Sequence, residues 1–284
     1  MKILVTGGAG FIGSSLIKRL NTPQNNIVSL DNYSTGYIKN HHEGVKYING
    51  NTWEILDIEE LKYFKPDIIF HLGEYSRIHQ SFQEISNVFK SNFLGTQQVL
   101  EYAVANNSFL IYSGSSAIFG NNNNENLSPY AFTKSKNIEL IHNYSKWFDI
   151  RLKFAICYFY NVYGPGQIQI GNYATVIGIF EEQYKNKLPL TVVKPGTQKR
   201  CFTHIDDIID GIILVSEKGE GDGYLLGNNE EYSILEVVKL FNNEYVFIDE
   251  RNGERYNSFI GYNKSSELGW IPKISLKKYI KNLL

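Results

Sequence analysis

Tyr130 and Lys134, in Tyr130-Ala131-Phe132-Thr133-Lys134, are the residues of this chain best suited to proton chemistry. On a helix this spacing puts a phenol and an ammonium on one face. The cation favours the phenolate and brings the phenol's ionisation towards the working pH range. A phenolate of this kind can take the proton of a substrate hydroxyl while hydride leaves the same carbon. The pattern also occurs by chance in many helices, so its surroundings matter. A little upstream, Tyr112-Ser113-Gly114-Ser115-Ser116-Ala117-Ile118-Phe119-Gly120 closes an apolar run with hydroxyls. A serine there, Ser115 above all, can bond both the phenol and the substrate oxygen; the plain alternative is a satisfied strand-end turn.

Such chemistry needs a hydride acceptor, and the start of the chain offers a place for one. Thr6-Gly7-Gly8-Ala9-Gly10-Phe11-Ile12-Gly13 follows the first apolar run, with Gly7, Gly10 and Gly13 spaced GxxGxxG. The loop must turn tightly, let its backbone approach a pyrophosphate, and let the next helix pack close to the strand. The helix N-terminus then offers free N–H groups and a positive dipole end to phosphate. Asp31 ends the second apolar run, where a carboxylate accepts from ribose hydroxyls and repels a 2′-phosphate. Together these signals point to NAD rather than NADP.

The elements that must hold these residues alternate along the first half. Ile3–Val5, Ile27–Leu30, Val45–Ile48, Ile68–Phe70 and Phe109–Tyr112 read as buried strands, with Phe154–Tyr160 a sixth. Amphipathic stretches at Phe11–Leu20 and Ser86–Ala105 lie between strands, and Ser128-Pro129 opens a helix expected to run from Tyr130 to Phe148. The fold class is α/β: a doubly wound parallel (Rossmann) sheet with a small C-terminal substrate-binding part. The break at Gly164-Pro165-Gly166 divides it into residues 1–164, binding NAD, and 165–284, mainly binding substrate. In the second part Ile205–Val215 and Ser275–Leu284 read as helices and Tyr224–Leu226 as a strand. Ser233-Ile234-Leu235-Glu236 has the form of a capping box.

A net charge of −1 over 284 residues gives no reason to invoke nucleic acid or an anionic membrane. Cys157 and Cys201 sit in apolar runs and read as buried thiols. No apolar run approaches the ~20 residues of a membrane span, no signal peptide is expected ahead of the first strand, and a cytoplasmic location is expected. Asn121–Asn124 reads as a loop tip. No metal site is expected.

The TGGAGFIG loop, Asp31-Asn32, the strand-end serines, YxxxK and Tyr160-Asn161-Val162-Tyr163-Gly164-Pro165 resemble the extended short-chain dehydrogenase/reductases. More narrowly, they resemble the NAD-dependent sugar-nucleotide epimerases and dehydratases, over nearly the whole chain. The resemblance implies Tyr130 as base, Lys134 as its partner and nicotinamide-ribose ligand, and Ser115 as the third catalytic member. It implies a cofactor cradle of Gly7, Gly10, Phe11, Ile12, Gly13, Asp31, Asn32, Ser34, Asn51, Thr52, Leu72, Gly73, Asn92, Tyr130 and Lys134. It places Ser115, Ser116 and Asn161 against the substrate. Arg200, in Arg200-Cys201-Phe202-Thr203-His204-Ile205-Asp206-Asp207, and Arg251, in Arg251-Asn252-Gly253-Glu254, are implied to hold the diphosphate of a sugar nucleotide, which suits the forked donors of arginine. The implied assembly is a homodimer or higher oligomer, pairing through the helices near Ser86–Ala105 and Tyr130–Phe148.

Departures from the family pattern narrow the chemistry. Family members that remove water between sugar carbons 4 and 6 resemble Thr-Asp-Glu where this chain has Ser115, Ser116 and Ala117, so dehydration is not expected. Where the family resembles His-Leu-Ala-Ala, this chain has His71-Leu72-Gly73-Glu74, and Glu74 is expected either to bind a substrate hydroxyl or to point into solvent. Asn51 stands where an adenine-contacting aspartate is usual, its amide oxygen still able to accept from the adenine amino group; Tyr158 replaces a common arginine. The leading expectation is a 4-epimerase-like enzyme acting at C4 of a nucleotide-activated sugar for surface polysaccharides. The alternatives are a C4 dehydrogenase of a nucleotide sugar, such as a GDP-heptose, that releases the keto sugar, and a non-catalytic NAD-binding regulator.

Overall fold

The computed structural model describes residues 1–121, 126–147, 152–258, 261 and 263–284. Six short apolar runs form parallel strands: β1 (Lys2–Thr6), β2 (Asn26–Asp31), β3 (Lys46–Asn49), β4 (Ile68–His71), β5 (Phe109–Ser115) and β6 (Lys153–Phe159). A seventh, Gly221–Leu226, pairs in parallel with β6. The order across the sheet is β3-β2-β1-β4-β5-β6 and then Gly221–Leu226. Strand order therefore reverses between β1 and β4, and ligands of such sheets bind beyond the strand ends at that reversal.

Both faces are covered, which is why the strands read as continuous apolar runs. Leu4 packs on one face with Val99, Leu100 and Tyr102 of α2 (Gly95–Asn106) and Ile138 and Ile141 of α3 (Pro129–Trp147). Its neighbours Ile3 and Val5 point to the other face, against Leu16 and Ile17 of α1 (Phe11–Leu20) and Ile208, Ile209 and Ile212 of the Ile205–Lys218 helix. This alternation is the two-residue period of a strand.

Helix α3 starts as its sequence suggests: the Ser128 hydroxyl accepts the Ala131 N–H at 3.1 Å and Pro129 takes the first position. Its expected end, Phe148, lies outside the described residues, as do Asn122–Asn124 of the asparagine run. The Ser86–Ala105 stretch is not one regular helix. A turn at Ile85–Val88 leads into a π-helical segment, Phe89–Leu94, before α2 begins. Such wide turns re-aim side chains and cluster at functional sites.

The break at Gly164 is not a clean cut between two parts. The Ile205–Lys218 helix and the Gly221–Leu226 strand return to the sheet, packing on α1 and β6. The remaining C-terminal elements close around a core of their own, with Phe180, Val192, Phe202, Val237, Phe241 and Ile280. The capping box forms with both halves: the Glu236 N–H donates to the Ser233 hydroxyl at 3.2 Å, and the Ser233 N–H to the Glu236 carboxylate at 2.7 Å. Both cysteines are free and buried.

Candidate functional site

The glycine loop has the geometry its spacing implies. Gly7 adopts φ +73°, and a Cβ there would lie 2.8 Å from the Cα of Gly73. Only glycine combines that backbone with so close an approach. At Gly13 a Cβ would come within 2.8 Å of the Gly8 Cα and closer still to the Gly7 carbonyl, so α1 packs onto the loop only because position 13 is bare. The Asp31 carboxylate accepts the Ala9 N–H and the Tyr33 N–H, each at 2.8 Å, which locks it at the loop's edge. The residue lines the cleft, and a carboxylate has lone pairs beyond those two bonds.

One cleft runs from this loop across the ends of β4 and β5 to the C-terminal part. Its lining brings together Gly7, Gly10, Phe11, Ile12, Gly13, Asp31, Asn32, Ser34, Thr52, Leu72, Gly73, Ser115, Ser116, Tyr130, Lys134, Asn161, Arg200 and Arg251. Two expected cofactor contacts are not part of that lining. Asn92, turned inward by the π-helical segment, is completely buried; its amide accepts the Tyr75 N–H at 2.7 Å and donates to the Tyr75 carbonyl and the Thr133 hydroxyl. Asn51 accepts from the Asn32 side chain at 3.0 Å and donates to Glu54 at 2.8 Å, so the oxygen proposed for adenine already has a partner.

Tyr130 and Lys134 lie at the cleft floor, with Tyr130 8% exposed. The Ser115 hydroxyl accepts the Ala117 N–H at 3.2 Å, capping the turn Ser116–Phe119. That bond leaves the hydroxyl proton available to a ligand oxygen, so the turn role and the ligand role are compatible. Lys134 donates to the Ser113 carbonyl at 2.5 Å and to a carboxylate oxygen of Glu74.

Glu74 therefore does neither of the things its sequence position suggested. Its backbone borders the cleft, but its side chain turns inward and is 1% exposed. It accepts from Lys134, Thr96 at 3.0 Å, Asn137 at 2.9 Å and Tyr112 at 3.1 Å. A directed chain of bonds feeds this cluster. The Thr6 hydroxyl accepts the Leu72 and Gly73 N–H groups, so its proton goes to His71 Nδ1 at 2.8 Å. His71 then carries its proton on Nε2 and donates to Thr96 at 3.0 Å. Burial holds the imidazole neutral, lowering its pKa to about 4.

Arg200 does not present a free guanidinium. It pairs with Glu254 at 2.6 Å and donates to the Lys199 and Arg255 carbonyls, and burial lowers its pKa. Asn161, in the left-handed region at φ 26°, donates to the Cys201 carbonyl at 3.1 Å. Tyr158, in place of an arginine, donates to Asp222 at 2.8 Å and packs on Phe119. Two arginines that sequence reasoning missed also line the cleft. Arg77 donates to the Tyr173 and Ser76 carbonyls. Arg255, 6% exposed, donates to the Ser116 and Asn257 carbonyls, and burial lowers its pKa to about 10. The only sequence signal for Arg255 was its place beside Arg251-Asn252-Gly253-Glu254. Arg77 had none.

A bare-backbone cradle at a helix N-terminus, with a carboxylate fixed at the end of β2, suits the pyrophosphate and adenosine ribose of NAD. Comparison with known proteins agrees. The solved structure of UDP-glucose 4-epimerase from Thermotoga maritima with UDP-glucose is 27% identical, covers 99% of this chain and 96% of its own, and superimposes with a TM-score of 0.92. A UDP-glucuronic acid 4-epimerase variant from Bacillus cereus, in complex with UDP-4-deoxy-4-fluoro-glucuronic acid and NAD, is 27% identical over the whole of both chains, TM-score 0.88. UDP-glucuronic acid decarboxylase 4 of Arabidopsis thaliana is 28% identical over 98% of this chain and 66% of its own length. The family model of NAD dependent epimerases and dehydratases matches residues 3–227. With that match across most of its length, over a sheet whose order and glycine loop suit a dinucleotide, the chain belongs to the NAD dependent epimerase/dehydratase family, and NAD is its cofactor.

Proposed function

We propose that this enzyme is a nucleotide-sugar 4-epimerase, with Tyr130 as base, Lys134 as its partner and Ser115 as the hydroxyl that orients the sugar. The observation that carries the reading is the shared cleft floor of Tyr130, Lys134 and Ser115 with the carboxylates accounted for elsewhere. Among the described residues Asp31, Glu74 and Glu254 line the cleft, and each is bonded to the protein: Asp31 to two N–H groups, Glu74 to Lys134, Glu254 to Arg200. With Ser116 and Ala117 after Ser115, no acid–base carboxyl among the described residues supports removal of water, and the chemistry these residues support is reversible oxidation of one carbinol.

Tyr130 takes the proton of the 4-hydroxyl and later returns it to the 4-keto oxygen. Ser115 donates to that same oxygen and holds it against the phenol. Bound NAD supplies the hydride acceptor and, on return, the hydride donor. Lys134 holds the nicotinamide ribose. Phe11, Ile12, Ser34, Thr52, Leu72 and Gly73 wall the cofactor; Arg200 and Arg251 take the diphosphate, Arg200 sharing its charge with Glu254; Asn161 and Ser116 contact the sugar. Residues 1–164 serve mainly the cofactor and 165–284 mainly the substrate. Among the described residues no helix is long and apolar enough to cross a membrane; the proposed setting is the cytoplasm and the proposed product a sugar for surface polysaccharide.

Two copies are proposed to pair through the helical layer over α3. Ile85, Phe89, Phe93 and Leu94 are exposed there beside Phe132 of α3, with the Phe89 and Phe132 rings 6.0 Å apart. Apolar exposure concentrated on one face marks an interaction surface.

The test is incubation with UDP- and GDP-sugars, following product stereochemistry by NMR and the near-ultraviolet absorbance of reduced nicotinamide. Inversion at C4 without lasting absorbance supports the epimerase. Stable reduced cofactor with a released keto sugar replaces it by the dehydrogenase. Tyr130→Phe should bind NAD as the parent does and lose turnover by a thousandfold or more, on the order of general-base loss with its coupled groups. Full turnover in that variant removes Tyr130 from its role.

A further inference from the structure

The buried contact between Glu74 and Lys134 is unlike an ordinary surface ion pair. The two side chains are 1% and 4% exposed. A buried carboxylate is costly unless it is paired and fully bonded, and Glu74 is both: Lys134, Thr96, Asn137 and Tyr112 all donate to it. Lys134 is equally committed. Its three N–H donors reach Glu74, the Ser113 carbonyl and, in a longer bond of 3.4 Å, Ser113 Oγ, with the Tyr112 ring 4.9 Å away. The long bond to Ser113 Oγ is the one a ligand in the cleft can replace.

We propose that Glu74 is the positioning residue of this site: it holds the Lys134 ammonium at the end of β5 as half of a buried ion pair, so that Lys134 reaches the cleft as an aimed donor whose charge is compensated rather than as a free cation. This deepens the reading of Tyr130 and Lys134 as the catalytic pair and rests on it. The consequence is electrostatic. Facing Lys134 are Glu74 from the loop after β4 and Ser113 and the Tyr112 ring from β5, with Tyr130 one turn earlier on its own helix. Facing Glu74 are Thr96 of α2, Asn137 of α3, the Tyr112 phenol, Lys134 and, through Thr96, the neutral His71. Arg77, on the loop after β4, is the other cation whose charge acts on Tyr130. In this set Glu74 is the negative charge, and it offsets the charge of Lys134. The site gains a lysine fixed in place by a buried counter-charge and a backbone carbonyl.

Two measurements test this. The first reads the pH limb of turnover on which Tyr130 becomes active. Glu74→Gln keeps the shape and removes the charge, leaving Lys134 uncompensated beside the phenol. The limb should move to lower pH by about one unit, the size of one nearby charge in a partly screened interior. A limb that stays in place in folded Glu74→Gln overturns the proposal. The second needs neither cofactor nor catalysis, and it decides the matter if Glu74→Gln alone does not fold. Lys134→Met strands a buried carboxylate and should lower the melting temperature by roughly ten degrees, whereas adding Glu74→Gln to it should restore most of that loss. A double variant no more stable than Lys134→Met means the two residues are not a coupled pair, and the proposal fails. If instead Tyr130→Phe retains turnover, the catalytic assignment fails, while the unfolding comparison still judges the pairing.

Discussion

His71 makes the stability of this protein depend on pH in a way that can be worked out. It is completely buried and neutral, accepting from Thr6 on Nδ1 and donating to Thr96 from Nε2. Burial lowers its pKa from 6.5 to about 4, with Lys134 acting in the same direction and Glu74 opposing. The folded state therefore binds its proton less readily than the unfolded chain does, and stability rises with pH where only the unfolded chain is protonated. The contribution is fully present above about pH 6.5 and is lost as pH falls towards 4. A displacement of about 2.5 units at 1.36 kcal/mol each is about 3 kcal/mol over that whole window. Between about pH 7.5 and pH 5 the loss is about 2 kcal/mol, because the unfolded imidazole is then mostly protonated and the folded one is not. The assay is urea unfolding of the NAD-free protein at those two pH values, beside His71→Asn. The variant should be weaker at both, since Thr6 and Thr96 lose a partner, but its fall between the two should be about 2 kcal/mol smaller. His204, also lowered by burial, contributes in the same sense and is common to both proteins. If His71→Asn loses as much stability on acidification as its parent, the imidazole is not the neutral bridge described.

Gly13→Ala must push the Gly7 carbonyl away from α1, opening the cradle; the NAD dissociation constant by calorimetry should rise at least a hundredfold with the fold retained, and a value within threefold of the parent would mean the cradle tolerates a side chain. Arg200→Met should raise KM for the sugar nucleotide by about tenfold to a hundredfold with kcat little changed, as expected for a group that binds substrate and transition state alike; an unchanged KM would confine Arg200 to its pairing with Glu254. Phe89→Asp puts a charge on the exposed apolar face at Phe132, so sedimentation should show a dimer becoming a monomer; a monomeric parent would leave that face without the partner proposed for it.

The fold and the cofactor were legible in one dimension because the physics behind them is local. Apolar runs of strand length, the spacing Gly7-Gly10-Gly13, Asp31 at a strand end, the Ser128-Pro129 start and the Ser233–Glu236 box each depend on neighbours within a few residues. Tyr130 and Lys134 could be paired because helix geometry alone aligns them. What only the tertiary structure decided depends on contacts between distant segments. Glu74 lies 60 positions from Lys134, and its inward turn follows from Thr96, Tyr112 and Asn137 converging on it from three elements. Asn92 was read as a cofactor contact, but a π-helical segment, with no marker in the pattern, rotates it into the core. The return of residues 205–226 to the sheet blurs the break at Gly164 for the same reason. A strand's parallel partner is chosen by the packed sheet and not by the sequence around it. Periodicity tells which side of an element is buried; where a buried charge finds its counter-charge is settled only when the elements meet.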